Sequence, residues 1–255
     1  MLFNISGLSV DLQQQITSNP KLVSMFSRFP DELLSVDSNA KTVKGNKIGV
    51  KTAILYLAPF NLSGVNLCPM AEKAGCVDAC LFSAGRGKFK SVFFARLRKT
   101  LYFHQYKQQF IKQMLKEIAS LKLKSIRAGF DLHVRLNGTS DIVWEVKHPE
   151  IFEQNPTVQF YDYTKIAGRK APANYDLTFS YSQKIEFKKS VSKAVKAGDR
   201  IAVVFRKKSD IPENYLGLSV VDGDDTDVRA FDPVGVVVAL YAKGSAKTDF
   251  SGFVV

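Results

Sequence analysis

Along the chain, short apolar runs of β character alternate with longer amphipathic or polar connections. Lys51–Pro59, reading KTAILYLAP, is the first such run; it is β-rich, mostly apolar and stopped by Pro59. Similar runs follow at Phe130–Leu136, Val158–Thr164, Tyr175–Ser182, Arg200–Arg206, Leu218–Asp222 and Val234–Leu240. Between them, Ser91–Ser120 reads as one long helix, with Leu97, Leu101, Phe110, Met114, Leu115 and Ile118 at helical spacing. Ile185–Ala197 reads as a short basic amphipathic helix that Gly198 stops. Strands separated by helices or long connections predict an α/β fold with a mainly parallel sheet, open or curled into a partial (β/α) barrel.

Residues 1–50 are more polar and interrupted. Leu8 to Phe29 has patchy helical spacing, broken by Pro20 and Pro30, and 37–46 reads as a loop. The expected organisation is therefore a small N-terminal extension, 1–50, packed on an α/β domain, 51–255. With 45% hydrophobic and 24% charged residues, the composition is that of an ordinary globular protein. No apolar run is long enough to span a bilayer, and the first residues lack a signal-peptide pattern, so a cytoplasmic location is expected and a membrane partner is not.

All three cysteines fall in one short stretch, Cys68, Cys76 and Cys80, spaced C-x7-C-x3-C. Structural cysteines scatter as small apolar residues, and disulfides want an even number. Three thiolates converging on a soft metal or an iron–sulfur cluster explain both the clustering and the odd count. Pro69 and Gly75 supply the bends such a loop needs. A structural zinc site takes four ligands, and the histidines, His104, His133 and His148, all lie outside the loop. A [4Fe–4S] cluster on three cysteines leaves one iron open, which is the iron that S-adenosylmethionine enzymes use; zinc is the alternative. The spacing differs from the common C-x3-C-x2-C of those enzymes, but the position after the first strand is the same.

In parallel α/β folds, ligands bind at the carboxyl ends of the strands. There the chain places Asn137–Asp141, Asp162–Lys165, Ser180–Ser182, Arg206 and Asp222–Asp227. Asn137, Ser140, Asp141, Ser180 and Ser182 are the expected cofactor-binding residues, with Asp141 able to receive an ammonium and Gly138 permitting close backbone approach. The alternative for Asn137–Asp141 is a plain turn with an Asx or Ser cap, and for Asp222–Asp227 a solvated acidic turn. Asp162, Tyr163 and Lys165 offer acid–base groups that the sequence alone does not pair.

Lys and Arg number 36 against 24 Asp and Glu, a formal charge of +12 that favours a polyanionic partner, most simply nucleic acid. Arg96, Lys99 and Lys107 on the long helix are the expected contact face. A basic surface that serves only solubility is the alternative.

The segments NLCPMAEKAGCVDACLFSAGRG, RLNGTSDIVWE, FYDYTK, NYDLTFS, AVVF, VVDGDDTDVR and AKGSAKTDFSGFVV, in that order from about residue 38 onward, resemble the "gene product 88" family of phage and plasmid proteins. The resemblance implies a mobile-element origin and, if phage-encoded, a site of action in the host cytoplasm. The family's cysteine loop is similar to that of radical S-adenosylmethionine proteins, and Cys68, Cys76 and Cys80 match the family's cysteines. The resulting expectation is a phage-type iron–sulfur enzyme acting on nucleic acid or another anionic substrate. The rivals are a metal-stapled DNA- or RNA-binding protein and a protein that binds a host factor.

Overall fold

The computed structural model describes residues 1–77, 79–80, 82 and 85–255. Asp78, Leu81, Ser83 and Ala84 of the quoted cysteine segment lie outside the described residues.

Two short helices open the chain. Ser9 caps α1 (Val10–Ser18) by accepting from the Leu12 amide, and Asn19 caps α2 (Pro20–Met25), with Pro20 at the first helical position where its missing N–H costs nothing. Their apolar faces deliver Ile16 and Phe26, with Phe3 and Leu8, into the same core as the long helices described below. A short strand, β1 (Leu34–Val36), then joins the sheet antiparallel to β2 (Val50–Leu55). The expected loop at 37–46 contains a helix, α3 (Ala40–Gly45). Asn39, which reads as a loop residue, is its cap: the side chain accepts from the Lys41 and Thr42 amides, and the Thr42 hydroxyl closes a capping box.

The single helix expected at Ser91–Ser120 is two, α4 (Lys90–Gln105) and α5 (Lys107–Arg127). Tyr106 breaks them with a non-helical backbone, φ −134 and ψ 50. Tertiary packing overrides the helical period here. The Tyr106 ring sits 5.0 Å from Phe29 and 5.9 Å from Phe3, and its hydroxyl donates to the Leu2 carbonyl at 3.1 Å.

The remaining strands are β3 (Asp131–Arg135), β4 (Gln159–Thr164), β5 (Tyr175–Ser180), β6 (Arg200–Phe205), β7 (Asn214–Tyr215), β8 (Leu218–Asp222) and β9 (Val237–Tyr241). The helices are α6 (Trp144–Lys147), α7 (Glu150–Glu153) and α8 (Lys188–Ala197), the last ending at left-handed Gly198. Among the described residues nine strands form one sheet in the order β1-β2-β3-β4-β5-β6-β9-β8-β7. Neighbours from β2 to β8 in that order are parallel, and only the edge pairs β1–β2 and β7–β8 are antiparallel. The carboxyl ends of seven strands therefore share one edge.

Register sorts the two faces. Ala53, Leu55, Leu132, Val134 and Phe160 pack with α4 and α5, and Phe179, Ile201, Val203 and Val237 pack with α8 residues Val191 and Ala194. Each such fully buried aliphatic or aromatic side chain stabilises the fold by about 1.5–3 kcal/mol. On the opposite face the register aligns Thr52 with His133, Tyr161 with Asp176, Tyr163 with Thr178 and Arg200, and Ser180 with Ala202. That face is polar, yet it is buried: Thr52, His133, Tyr161, Thr178 and Arg200 are all covered. Its cover is the segment following β8, where the Phe231 ring sits 5.6 Å from His133 and Asp227 pairs with Arg135 at 2.6 Å. No helix among the described residues is long and apolar enough to cross a membrane.

Candidate functional site

The cysteine loop follows β2, which ends at Leu55, four residues before Pro59. One tight turn carries it: the Ala71 amide donates to the Cys68 carbonyl, Gly75 to Glu72, and Cys76 back to Ala71, at 3.0–3.1 Å. Gly75 has φ +66, and a Cβ there would stand 2.7 Å from the Ser251 hydroxyl, so both backbone and packing demand glycine. The loop is pinned from two sides. Asp141 donates its amide to the Leu67 carbonyl at 2.8 Å, and Ser251 donates its hydroxyl to the Gly75 carbonyl at 2.6 Å.

The three thiols lie within electrostatic reach of one another. Burial pushes the Cys68 thiol up to about 12, the Phe60 amide opposes this, and the neighbouring Asp141, Cys80 and Cys76 add to it. Burial also raises Cys76 and Cys80, and in both cases the Lys165 ammonium opposes the rise. Lys165 is itself buried, which lowers its pKa against the pull of Cys76, Asp141, Cys68 and Cys80. Its Nζ donates to Ser180 Oγ at 2.9 Å and lies 4.3 Å from the Phe253 ring centroid. Three sulfurs, one carboxylate and one ammonium thus gather at the carboxyl edge. The donor set is right in kind for a soft metal or an iron–sulfur cluster. Among the described residues no three His, Cys, Asp or Glu side chains approach closely enough to hold a metal ion, so the thiols are gathered but not clasped.

Asn137–Asp141 follows β3 and abuts the cysteine loop, with Thr139 O 3.9 Å from the Cys68 sulfur. Asn137 is the hub of this turn. Its Oδ1 accepts from Ser140 Oγ and the Ile142 amide, both at 2.9 Å, and from Trp144 Nε1 at 3.1 Å; its Nδ2 donates to the Ile142 carbonyl. Asn137 and Ser140 therefore spend their polar atoms on the turn itself. Asp141 Oδ1 accepts from Thr164 Oγ1 at 2.7 Å and Oδ2 from the Lys165 amide at 2.8 Å, while Arg169 stands 3.4 Å away. Burial raises Asp141 in spite of these donors. Gly138 does allow a close approach, but by the end of β2: a Cβ would meet Ile54 Cγ2 at 2.5 Å and the Leu55 carbonyl at 2.8 Å. Ser180 receives Lys165, and Ser182 donates to the Gly252 carbonyl at 3.3 Å.

Asp162 lies beneath the turn. It accepts from the Leu136 and Asn137 amides and from the Tyr175 hydroxyl at 2.9–3.1 Å. Burial raises it to about 6, with Arg135 opposing.

Several expected roles fall elsewhere. His104, one of the three histidines outside the loop, packs by Phe103, and its pKa is lowered by burial and by Lys107 and Lys147. Arg96 and Lys99 do not form an outward basic face with Lys107. The Arg96 guanidinium lies 4.7 Å over the Tyr56 ring and donates to the Phe82 carbonyl, and Lys99 donates to the Leu33 carbonyl at 2.7 Å. The acidic turn 222–227 is not simply solvated, since Asp224 pairs with Lys41 and Lys243 and Asp227 with Arg135. Arg206 donates to the Asp249 carbonyl at 2.8 Å and stacks on Phe250, fastening the segment that carries Ser251 and Phe253. That segment's part in the site had no signal in the sequence beyond its glycine and serine content.

The protein family described as Gene product 88 matches residues 32–255. No curated protein matches the chain, and neither does any solved structure.

Proposed function

The chain belongs to the Gene product 88 family, and we propose that it is an iron–sulfur protein whose Cys68, Cys76 and Cys80 hold a [4Fe–4S] cluster and which uses S-adenosylmethionine to act on nucleic acid or another anionic substrate. The observation that carries this reading is the meeting of three thiols with the buried Lys165 at the carboxyl edge of a parallel sheet whose opposite face is polar and buried. A sheet folded only for stability has little reason to bury Thr52, His133, Arg135, Tyr161 and Arg200 on one face, because such groups cost free energy unless each finds a partner. The thiol loop stands at the carboxyl edge, where a partial (β/α) barrel would carry its ligand.

When bound, such a cluster supplies an iron open to the amine and carboxylate of the cofactor. The protein's residues have separate tasks. Lys165 offsets the negative charge that three thiolates bring together. Asp141, beside the thiols, would accept a hydrogen bond from the cofactor's iron-bound amine, on oxygens that also accept from Thr164 and the Lys165 amide. Asn137 and Ser140 set the shape of the turn, and Ser180 and Ser182 frame the far side through Lys165 and Gly252.

One observation favours a second reading. The side chains of Asn137, Ser140 and Ser182 are engaged by the protein itself, as they would be in a non-catalytic protein where the cluster, or zinc, only staples the loop. Anaerobic purification with metal analysis separates the readings. Stoichiometric iron with sulfide, visible charge-transfer absorption, and a reduced-cluster paramagnetic spectrum altered by S-adenosylmethionine are the expected results. Zinc without iron would overturn the proposal, and iron with a spectrum indifferent to the cofactor would leave the staple. Cys68→Ala, Cys76→Ala or Cys80→Ala should each abolish metal loading, since three ligands leave no spare.

A further inference from the structure

The charge of the chain is unevenly distributed. Between Ala79 and Lys116 there is no Asp or Glu, but there are nine Lys and Arg: Arg86, Lys88, Lys90, Arg96, Arg98, Lys99, Lys107, Lys112 and Lys116. This stretch alone supplies +9 of the formal +12. Arg96, Arg98 and Lys99 turn inward onto the Phe82, Met25 and Leu33 carbonyls. The outward cations then fall into two groups, one at the start of α4 and one on the first half of α5. Lys107, Lys112 and Lys116 line a shallow cavity of about 490 Å³ on α5, which they share with the acid Glu150.

The other group has no such acid. Arg86, Lys88 and Lys90 are exposed, and no ion pair is found for any of them among the described residues. Between Lys88 and Lys90 the Phe89 side chain is 54% exposed, immediately before α4. Phe89 thus offers an aromatic face to solvent between two cations. The loop carrying it is held in place: a Cβ at Gly87 would strike the Phe82 carbonyl and stand 3.3 Å from Arg96 Nη1, so Gly87 lets this turn lie against the residue that follows Cys80 closely. Gly87 lies against Phe82, two residues after Cys80, and Arg96 acts on the Cys80 thiol from α4, so Gly85–Lys90 stands beside the thiols.

We propose that Arg86, Lys88, Phe89 and Lys90 form a clamp for single-stranded nucleic acid at the rim of the cysteine site, with the three cations on successive phosphates and Phe89 stacked on a base. This rests on the nucleic-acid part of the function proposed above and names its substrate class. Charge complementarity selects a polyphosphate backbone. The exposed ring selects an unpaired strand, since bases in a duplex present no free face for stacking.

The test is fluorescence anisotropy of a labelled oligothymidylate strand, and of a matched duplex, with the full chain across a salt series. The strand should bind more tightly than the duplex, and the combined Arg86→Gln, Lys88→Gln, Lys90→Gln variant should lessen the logarithmic salt slope by about 2, at roughly 0.7 per phosphate contact. Phe89→Ala should weaken strand binding roughly tenfold and leave the slope unchanged. Lys112→Gln, Lys116→Gln and Arg127→Gln on α5 should leave strand binding intact. Loss of binding in the α5 variant but not the rim variant, equal affinity for duplex, or no binding at low salt would each overturn the clamp. Circular dichroism of each variant verifies folding. The binding readout does not depend on iron, so failure of the cluster reading and failure of the clamp appear in different measurements.

Discussion

Replacing Asn137 by Ala tests whether this residue builds the turn after β3 or merely faces a ligand. The Asn137 carboxamide makes four hydrogen bonds, to Ser140 Oγ, the Ile142 amide, Trp144 Nε1 and the Ile142 carbonyl. Not all of them are lost equally. The Ile142 carbonyl keeps the Trp144 amide at 3.0 Å and Arg169 Nη2 at 3.3 Å, and the Ser140 hydroxyl can rotate. Two donors, the Ile142 amide and Trp144 Nε1, would be stranded in the interior, where Trp144 is fully buried. Each stranded donor costs about 1–3 kcal/mol, so the expected loss is about 2–6 kcal/mol in the metal-free protein. For a chain of this size, a loss near the middle of that range lowers Tm by roughly 10 °C. Trp144 is the only tryptophan, so its emission reports unfolding and local rearrangement in one cuvette. Asn137→Asp, which keeps an acceptor for both donors, should recover part of the loss. A fall in Tm below about 2 °C for Asn137→Ala would refute the reasoning and return Asn137 to the role of a ligand contact.

His133 should contribute to acid lability. Burial holds it down at about 4 against 6.5 when free, so the unfolded chain binds more protons between those values and stability falls as pH drops from 6.5 toward 4. The loss reaches at most about 3 kcal/mol, and His133→Phe should flatten the unfolding midpoint over that window. Gly75→Ala combines a left-handed backbone with a collision at Ser251; it should destabilise by about 1–3 kcal/mol and speed protease cleavage within 249–255, while an unchanged cleavage rate would disprove the tie between that segment and the loop. Lys165→Met should reduce iron retained after anaerobic reconstitution and chelator challenge more than Lys165→Arg does, and equal retention in both variants would remove the ammonium from the thiol site.

The strands and the parallel sheet were legible because their signal is local: apolar runs of strand length with breakers between them. The cysteine loop was legible for the opposite reason, as a departure from the random scatter of thiols. What could not be read depends on distant partners. Tyr106 continues the helical period in sequence and breaks it in space because Phe3 and Phe29 claim its ring. Arg96 and Lys99 carry charge like any surface residue, and only the positions of the Phe82 and Leu33 carbonyls turn them inward. Asn39 signals a loop and a helix cap with the same side chain. Lys165 stood out as a polar group at a strand end, but its neighbours come from loops about 90 residues earlier and from Phe253, about as far downstream. Sequence spacing alone cannot make such pairings, whose closure entropy is repaid only when the whole sheet forms.

The fastening of the cysteine loop by segment 249–255 also has a consequence in time. Ser251 and Phe253, which cover Gly75 and Lys165, are synthesised some 170 residues after Cys80. At translation rates of about 5–20 residues per second, the thiols leave the ribosome roughly 10–35 s before their cover exists. Afterwards Ser251 holds the Gly75 carbonyl, Phe253 lies against Lys165, and Arg206 fastens their segment. The expected outcome is that a metal or cluster is delivered more readily to a nascent chain, before that segment fixes the loop. Pulse-loading during cell-free translation, compared with loading after release, would reveal the asymmetry as a higher metal content in the cotranslational sample.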